Sequence, residues 1–492
     1  MADSRPAGFS GVPLDILASV CAHLDFETRC ETVPLVCKHW RRLTQGPSAI
    51  WRSVTLEPPI AASPRRICHG SALQWVTDRA PSIWELRLRL FDYLESHDFG
   101  PGDFAHVFQV LSKTLRSLHV LKCGHVLNPE GFAAMSVLTR LETLSIRNWE
   151  QGDCRIEASE LGWITSLQSL SSVTLEMELD GFPEALVALT NLEEINLRKC
   201  RHVSVPSSVS DLRRLKSLAM LECGMQHLPT SVCGLPSLEV LNMGMNELGR
   251  QQGRSLPDEL SSLSKLKELS FCCCEYDAVP PVISLMTSLQ VLWLCGNRMT
   301  GCSSNFLPSS LVELQLLREL HLSCCGLSTL PLTICSLTHL VELNLAGNRL
   351  SSLPASLGFL TALQVLDLHR NSFLVVPPVL ACMVGLRKLN LLQNNIIYDR
   401  NSLALANLPK LEEMQLPKCG DHWSWSRGGW STQSFRYFAE LICKLSICTR
   451  VGGVGWGCGW KGPAKTMGME VMMRGRHKGD ALVRHEMCKS DI

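Results

Sequence analysis

The sequence lacks a surplus of charge of either sign, since 47 basic residues stand against 46 acidic ones in a chain of 492. This balance gives no broad field of one sign, which argues against a surface built for nucleic acid or for acidic membranes. No apolar run reaches the roughly 18 residues of a membrane-spanning helix, and the N-terminus has no apolar segment behind basic residues. We therefore expect an intracellular protein, in the cytoplasm, the nucleus or both, that binds neither nucleic acid nor membrane.

The sequence also lacks the residue patterns of a catalytic, metal or cofactor site. Its 23 cysteines do not have the paired spacing of a secreted disulfide framework or of a zinc site. No nucleophile motif and no pair of carboxylates in a recognisable frame is present. The glycine-rich stretch at 453–459 neither follows a predicted strand nor opens a predicted helix, so it does not predict a phosphate-binding loop. We expect a protein without enzymatic activity, cofactor or metal.

What the chain does contain is leucine at a fixed spacing, seen most clearly in Leu340, Leu343, Leu345 and Asn348. Side chains alternate between the two faces of a strand, so the leucines of each unit point inward and the intervening residues point outward. A period of this length predicts a solenoid of stacked coils. The first leucines of the regular units recur 23 to 28 residues apart, at Leu192, Leu215, Leu238, Leu266, Leu289, Leu317, Leu340, Leu363, Leu386 and Leu411.

An asparagine or a cysteine follows each predicted strand. We expect the asparagine amide to bond to backbone groups of neighbouring coils that otherwise lack a partner, with the cysteine thiol as a weaker donor. Leucine-proline pairs such as Leu353 and Pro354 come next and predict short helices or irregular turns. The asparagines are Asn246, Asn297, Asn348, Asn371 and Asn394, and the cysteines are Cys200, Cys223, Cys274, Cys325 and Cys419.

On these residues the chain resembles the leucine-rich repeat family across roughly residues 110 to 419, with the leucine-rich repeats assigned to 111–419. The resemblance implies an α/β solenoid, which is a horseshoe with a parallel sheet on its concave face. It also implies a protein that binds other proteins.

The segment at residues 9–57 has a different pattern, in which Pro13, Ile16, Leu17 and Val20 have the spacing of an amphipathic helix after a proline start. This segment resembles the F-box, and the resemblance implies a small all-α domain that binds the Skp-type adaptor of a cullin-RING ubiquitin ligase. Pro13, Ile16, Leu17 and Val20 would contribute to that contact. The other interpretation is a helical cap that shields the first coil. The rest of the resemblance lies in Val36, Cys37, Lys38, His39, Trp40, Arg41, Ile50, Trp51, Arg52, Ser53 and Val54, where Trp40 and Trp51 would form the core of the domain itself.

The outward positions of the strands predict where a target protein is held. Trp293 stands out among them, because interfaces favour an exposed tryptophan. The other interpretation is that Trp293 lies flat over the sheet as a local filler. Insertions at 249–254 and 301–305 bracket its strand. The predicted contact surface consists of an apolar patch, Val240, Cys272, Val291, Trp293 and Cys295, with a polar border of His321, Asp367 and His369.

The remaining segments complete the predicted organisation. We expect a flexible N-terminus at 1–8, a linker with an irregular first repeat at 58–110, a C-terminal cap at 420–450 and a disordered tail at 451–492. The two resemblances together imply the substrate-recognition subunit of an SCF-type ligase, joined to a cullin through the adaptor. The alternatives are an intracellular signalling scaffold whose N-terminal helices are only a cap, and a small-molecule receptor similar to the plant hormone-sensing F-box proteins.

Overall fold

The structure, a computed structural model, describes residues 49–56, 75–89, 101–121, 129–147, 156–250, 256–299, 306–397, 405 and 408–416. The chain divides into two units, Met1–Cys274 and Glu275–Ile492. Most of the segment 9–57, the insertion at 301–305, the predicted cap at 420–450 and the predicted tail lie outside the described residues.

The first unit is built on a parallel sheet of short strands. Successive strands pair in chain order, except that β4 pairs directly with β6 while β5 pairs with the far end of β6. Stacked coils require this order, because each turn of a solenoid adds one strand beside the last. The strands are β1 (Ser53–Leu56), β2 (Glu85–Arg89), β3 (Ser117–Leu121), β4 (Thr143–Arg147), β5 (Ile156–Glu157), β6 (Ser172–Asp180), β7 (Glu194–Arg201), β8 (Ser217–Leu221), β9 (Val240–Asn242) and β10 (Glu268–Ser270).

The second unit has the same construction with strands of uniform length. Each strand pairs in parallel with the next, and the central leucines stand at matching positions, as in Leu320 beside Leu343. These leucines are buried, so they form one continuous core along the stack. The strands are β11 (Val291–Trp293), β12 (Glu319–His321), β13 (Glu342–Asn344), β14 (Val365–Asp367), β15 (Lys388–Asn390) and β16 (Glu413–Gln415). The predicted leucine-rich-repeat solenoid with a parallel sheet is confirmed.

Short helices form the return paths, as the leucine-proline pairs predict. The proline stands just before the first helical residue, where its fixed φ suits the turn and its missing N–H is not needed. Pro354 is typical, with φ −67° and a carbonyl that accepts a bond of 3.0 Å from Leu357 N–H. The α-helices are α1 (Pro101–Leu111), α2 (Pro129–Ala133), α3 (Thr230–Cys233) and α4 (Leu332–Cys335). The 3₁₀ helices are Ala49–Trp51, Ala80–Ser82, Ala134–Val137, Ala158–Ser166, Glu184–Ala188, Ser207–Asp211, Asp258–Ser262, Pro281–Leu285, Ser309–Glu313, Ala355–Phe359 and Pro378–Cys382.

The asparagine after each strand bonds to the preceding coil as predicted. The Asn348 amide donates to the carbonyls of Leu322 at 2.8 Å and Leu345 at 2.9 Å. Its side-chain oxygen accepts from the N–H groups of Cys325 and Leu327, both at 3.0 Å. The amide also donates to the Ala346 carbonyl at 3.4 Å, so one buried side chain bonds to five backbone groups on two coils, which would otherwise be costly to bury.

Where cysteine stands at the turn in place of asparagine, its side chain makes fewer hydrogen bonds. The Cys325 thiol lies 3.2 Å from the carbonyl oxygen of Leu294 and 3.4 Å from that of Ser323, and it donates toward both. Burial raises the pKa of the Cys325 thiol, which keeps the proton on this donor. The thiol therefore donates at this turn as predicted, and that it is a weaker donor than the asparagine amide stays a prediction.

The residue before the asparagine or cysteine is left-handed in coil after coil. A left-handed conformation costs about 1 to 2 kcal/mol for a residue with a side chain. The hydrogen bonds of the asparagine or cysteine that follows offset this cost. Glycine fills the position twice, at Gly296 and Gly347, with φ of 70° and 66°. Other residues with positive φ at this position are Lys199, Glu222, Met245, Cys273, Cys324, Arg370 and Gln393.

The sheet begins earlier in the chain than the regular repeats predict. Strand β1 starts at Ser53, inside the segment 9–57, and pairs with β2, whose Leu86 and Leu88 are buried. Trp51 is 1% exposed and meets Trp75 edge to face at 4.9 Å between ring centroids. Trp51 therefore contributes to the core of the first coil, because the strand that follows it belongs to the sheet.

Candidate functional site

The strands of the second unit present a face that points away from the leucine core, which we call the open face. Its residues form two rows, because matching positions on neighbouring parallel strands stand side by side. The first row contains Val291, Glu319, Glu342, Val365 and Lys388, and the second contains Trp293, His321, Asn344, Asp367 and Asn390.

Trp293 lies flat on His321. Their ring centroids are 3.6 Å apart and the ring planes differ by 3°. The indole covers the imidazole so fully that His321 is only 3% exposed, although its strand position points away from the core. Neither ring nitrogen of His321 has a hydrogen-bond partner among the described residues. Its Nε2 lies 3.5 Å from a Glu319 carboxylate oxygen, beyond ordinary hydrogen-bond distance.

Three carboxylates stand beside this stack on successive strands. Glu319 and Glu342 occupy directly matching positions on β12 and β13, and Asp367 follows on β14. Like charges in matching positions repel one another. Burial raises the pKa of Glu342, and the charges of Glu319 and Asp367 raise it further, while His321 and Lys388 oppose the shift. No ion pair to Glu342 is found in the described part of the chain.

The neighbouring charges on the open face are already engaged. The Asp367 carboxylate lies 2.9 Å from Nδ1 of His369 and accepts a bond from the His369 backbone N–H at 3.0 Å. Lys388 lies 3.3 Å from a Glu413 carboxylate oxygen. Glu319 and Glu342 therefore stand side by side without a lysine or arginine ion pair among the described residues, with His321 as their nearest basic neighbour.

The structure places most of the predicted target-contact residues on the open face. Val291 and Trp293 are half-buried, and Trp293 covers a neighbour as the local-filler interpretation has it. Cys295 is only 5% exposed. His321 does not form an exposed polar border, because the indole lies over it, whereas Asp367 and His369 are half-buried beyond it.

Val240 on β9 and Cys272 just after β10 belong to the first unit. Both are half-buried. Whether any of these residues contacts a target stays a prediction.

The leucine spacing puts Glu319 and Glu342 at outward positions of their strands, but neither was predicted as a site residue. The available signal was the same acidic residue at the same position of two successive units. Since the leucine period puts such positions side by side, the pair could have been recognised as adjacent like charges. The stack of Trp293 on His321 had no comparable signal, because it depends on the rotamer of the indole.

The described residues contain no group of three or more histidine, cysteine or acidic side chains placed to hold a metal ion. The described cysteines are free thiols. In the same part of the chain, no helix is long and apolar enough to span a bilayer. The predicted adaptor-contact residues Pro13, Ile16, Leu17 and Val20 lie outside the described residues.

Comparison with known proteins gives matches for both parts of the chain. Residues 9–57 match the F-box-like family model. Residues 315–373 and 338–396 match the leucine-rich repeat model.

Curated relatives match the chain only in part. Receptor-like protein 39 of Arabidopsis thaliana is 29% identical over 151 residues, which are 29% of this chain and 16% of that protein. Leucine-rich repeat and calponin homology domain-containing protein 1 of Mus musculus is 36% identical over 92 residues, which are 18% of this chain and 12% of that protein. The matched stretches thus cover a small part of each relative's length.

Among solved structures, an internalin from Listeria monocytogenes is similar with a TM-score of 0.44 and 22% identity, over 62% of this chain and 81% of that one. The two family-model matches and the stacked parallel strands lead to one conclusion about the chain's organisation. An F-box-like segment at residues 9–57 thus precedes a solenoid whose residues 315–396 match leucine-rich repeats, an organisation consistent with an F-box/leucine-rich-repeat protein.

Proposed function

We propose that this protein is the substrate receptor of an SCF-type cullin-RING ubiquitin ligase. The F-box-like segment binds the Skp-type adaptor and through it a cullin, and the leucine-rich repeats hold a target protein. The observation that carries the proposal is the F-box-like match at residues 9–57, immediately before the stacked coils. F-box and leucine-rich-repeat domains are typically non-catalytic, which fits a receptor that leaves bond making to other subunits.

The contribution of such a receptor to catalysis is positional. Holding a target lysine near the ubiquitin donor raises its effective concentration and turns a bimolecular encounter into a local one. A stack of coils with a continuous leucine core suits this task, because it keeps the outward residues of many strands in fixed relative positions. Targets marked in this way would be degraded by the proteasome, and the protein would act in the cytoplasm, the nucleus or both.

The alternative function is a non-enzymatic signalling scaffold whose N-terminal helices only cap the first coil. Strand β1 favours this view to a degree, because it places the end of the segment 9–57 within the sheet. The scaffold keeps the target contacts of the solenoid but binds no adaptor. Adaptor binding is therefore the property that separates the two functions.

The test is a pull-down of recombinant Skp-type adaptor by the full chain and by the double variant Pro13→Ala/Leu17→Asp. The expected result is capture by the native chain and loss of capture by the variant, because an aspartate would place a charge in an apolar contact. A matched control is Leu332→Asp, which introduces the same charge at a leucine that is 67% exposed in the second unit. This control should bind the adaptor normally. Absence of binding by the native chain would favour the scaffold.

A further inference from the structure

The open face contains acceptors that lack a donor. Glu319 and Glu342 stand in matching positions on neighbouring strands, and each ionised carboxylate can only accept hydrogen bonds. Beside them lies His321, which is 3% exposed and has no hydrogen-bond partner at either nitrogen among the described residues. No lysine or arginine side chain pairs with either carboxylate among the described residues, so a positively charged group would complement this face.

The group that complements the two carboxylates is positively charged and rich in hydrogen-bond donors. A lysine ammonium offers three donors and an arginine guanidinium five, and neither accepts a bond. Glu319 and Glu342 repel each other because they stand at matching positions on neighbouring strands. Such a cation would relieve this repulsion. The protein's own nearby cation does not serve, since Lys388 is engaged by Glu413 at 3.3 Å.

Trp293 provides the second half of a cation site. One face of the indole covers His321, and the residue as a whole is half-buried, so part of it remains open to a partner. Lysine and arginine side chains are attracted to the face of a tryptophan ring. The side chain of Glu319 is 41% exposed, so its carboxylate can be reached without displacing the indole.

We propose that the open face of the second unit binds a lysine or arginine side chain of the target protein. The cation lies between the Glu319 and Glu342 carboxylates and rests against Trp293, while His321 supports the other face of the indole. This proposal rests on the proposed function only because it calls the partner a target. Binding of a cation by the open face does not depend on adaptor binding. The site selects a basic segment of a protein and disfavours an acidic or phosphorylated one.

The test uses short fluorescent peptide pools that are random except for one central residue, which is arginine, lysine, glutamine or glutamate. Binding of each pool to the full chain is measured by fluorescence anisotropy at low and at physiological salt. We expect the arginine and lysine pools to bind about tenfold more tightly than the glutamine pool, and the glutamate pool to bind most weakly. Higher salt should reduce the difference.

The variants Glu319→Gln/Glu342→Gln and Trp293→Ala should remove most of this preference. Glu342→Gln alone keeps the shape of the side chain, so it remains informative if a larger change fails to fold. Two controls match these changes at positions off the sheet in the same unit, namely Glu313→Gln and Phe359→Ala, the latter at a phenylalanine that is 68% exposed. Both controls should keep the preference.

Equal binding of the arginine and glutamine pools would overturn the proposal, as would a preference that survives Glu319→Gln/Glu342→Gln. The adaptor pull-down separates this failure from that of the proposed function. If the adaptor binds and the basic preference is missing, only the site on the open face is wrong. If the basic preference is found without adaptor binding, the ligase function is wrong and the site stands.

Discussion

The two units share an interior and differ in the charges they present on their strands. In both, leucines fill the core and an asparagine at the turn makes the same bonds, as Asn246 and Asn348 show. On the strands of the first unit, acidic residues stand beside arginines, as in Arg147 with Glu176 at 3.3 Å and Arg198 with Glu222 at 3.0 Å. On the second, Glu319 and Glu342 stand beside each other. The interior thus fixes the fold, while the outward positions vary and give each region its own chemistry.

The largest expected effect tests whether the interiors are equivalent. Asn348→Ala and Asn246→Ala each remove five bonds to backbone groups, so each should lower the free energy of unfolding by about 3 kcal/mol or more. Urea unfolding followed by circular dichroism measures both losses. A large loss for one variant and a negligible loss for the other would show that the two interiors are not equivalent.

A smaller effect is expected at the left-handed turns. A Cβ at Gly347 would lie 2.7 Å from Cys324 Sγ, whereas a Cβ at Gly224 would meet nothing within 4 Å. Both glycines have positive φ, so alanine should cost about 1 to 2 kcal/mol at either position. Gly347→Ala should cost more, because the thiol must also move. Thermal unfolding of the pair gives the difference, and equal melting temperatures would show that the thiol moves freely.

Cysteine at the turn should matter less than asparagine. Cys325→Ala removes one weak donor and a small buried volume, so we expect a loss of about 1 kcal/mol, well below that of Asn348→Ala. The same urea titration serves as the measurement. A loss as large as that of Asn348→Ala would mean that the thiol is not the weaker donor inferred from its bonds.

The smallest expected effect is the pH dependence of stability that comes from two carboxylates, Glu342 and Glu85. It tests the difference between the two surfaces directly. The pKa of Glu342 is raised by burial, so its ionisation destabilises the folded chain as the pH rises through that pKa. Glu342→Gln should therefore increase stability at neutral pH, and this advantage should fade below the ordinary glutamate pKa of about 4.3.

Glu85 on β2 should respond in the opposite direction. Burial favours a higher pKa, but hydrogen bonds from Ser53 and Arg87 outweigh it and hold the Glu85 pKa below its usual range. Its ionised form therefore stabilises the fold above the ordinary pKa, and this contribution is lost as the pH falls through the lowered one. Glu85→Gln should decrease stability at neutral pH. Melting temperatures measured between about pH 4 and pH 8 test both signs, and changes of the same sign would remove the proposed contrast.

The interior was predictable from the sequence because each of its features repeats. The strand leucine and the turn asparagine, such as Leu343 and Asn348, recur in successive units. The strand, the core and the turn could therefore all be predicted. The first coil was placed less well, since Trp51 and Val54 form its core without the leucine spacing. The surface was hardest to predict. The burial of His321 depends on the rotamer of Trp293, and the position of a residue in the repeat does not predict its rotamer.

The asparagine bonds have a mechanical consequence. Each asparagine joins its own coil to the one before it, as Asn348 does through Leu322, Cys325 and Leu327. No such bond skips a coil in the part of the chain that the structure describes, so tension on the second unit would be carried from neighbour to neighbour. Under a pulling force, the coils should peel away one after another in small steps, each releasing about the length of one repeat.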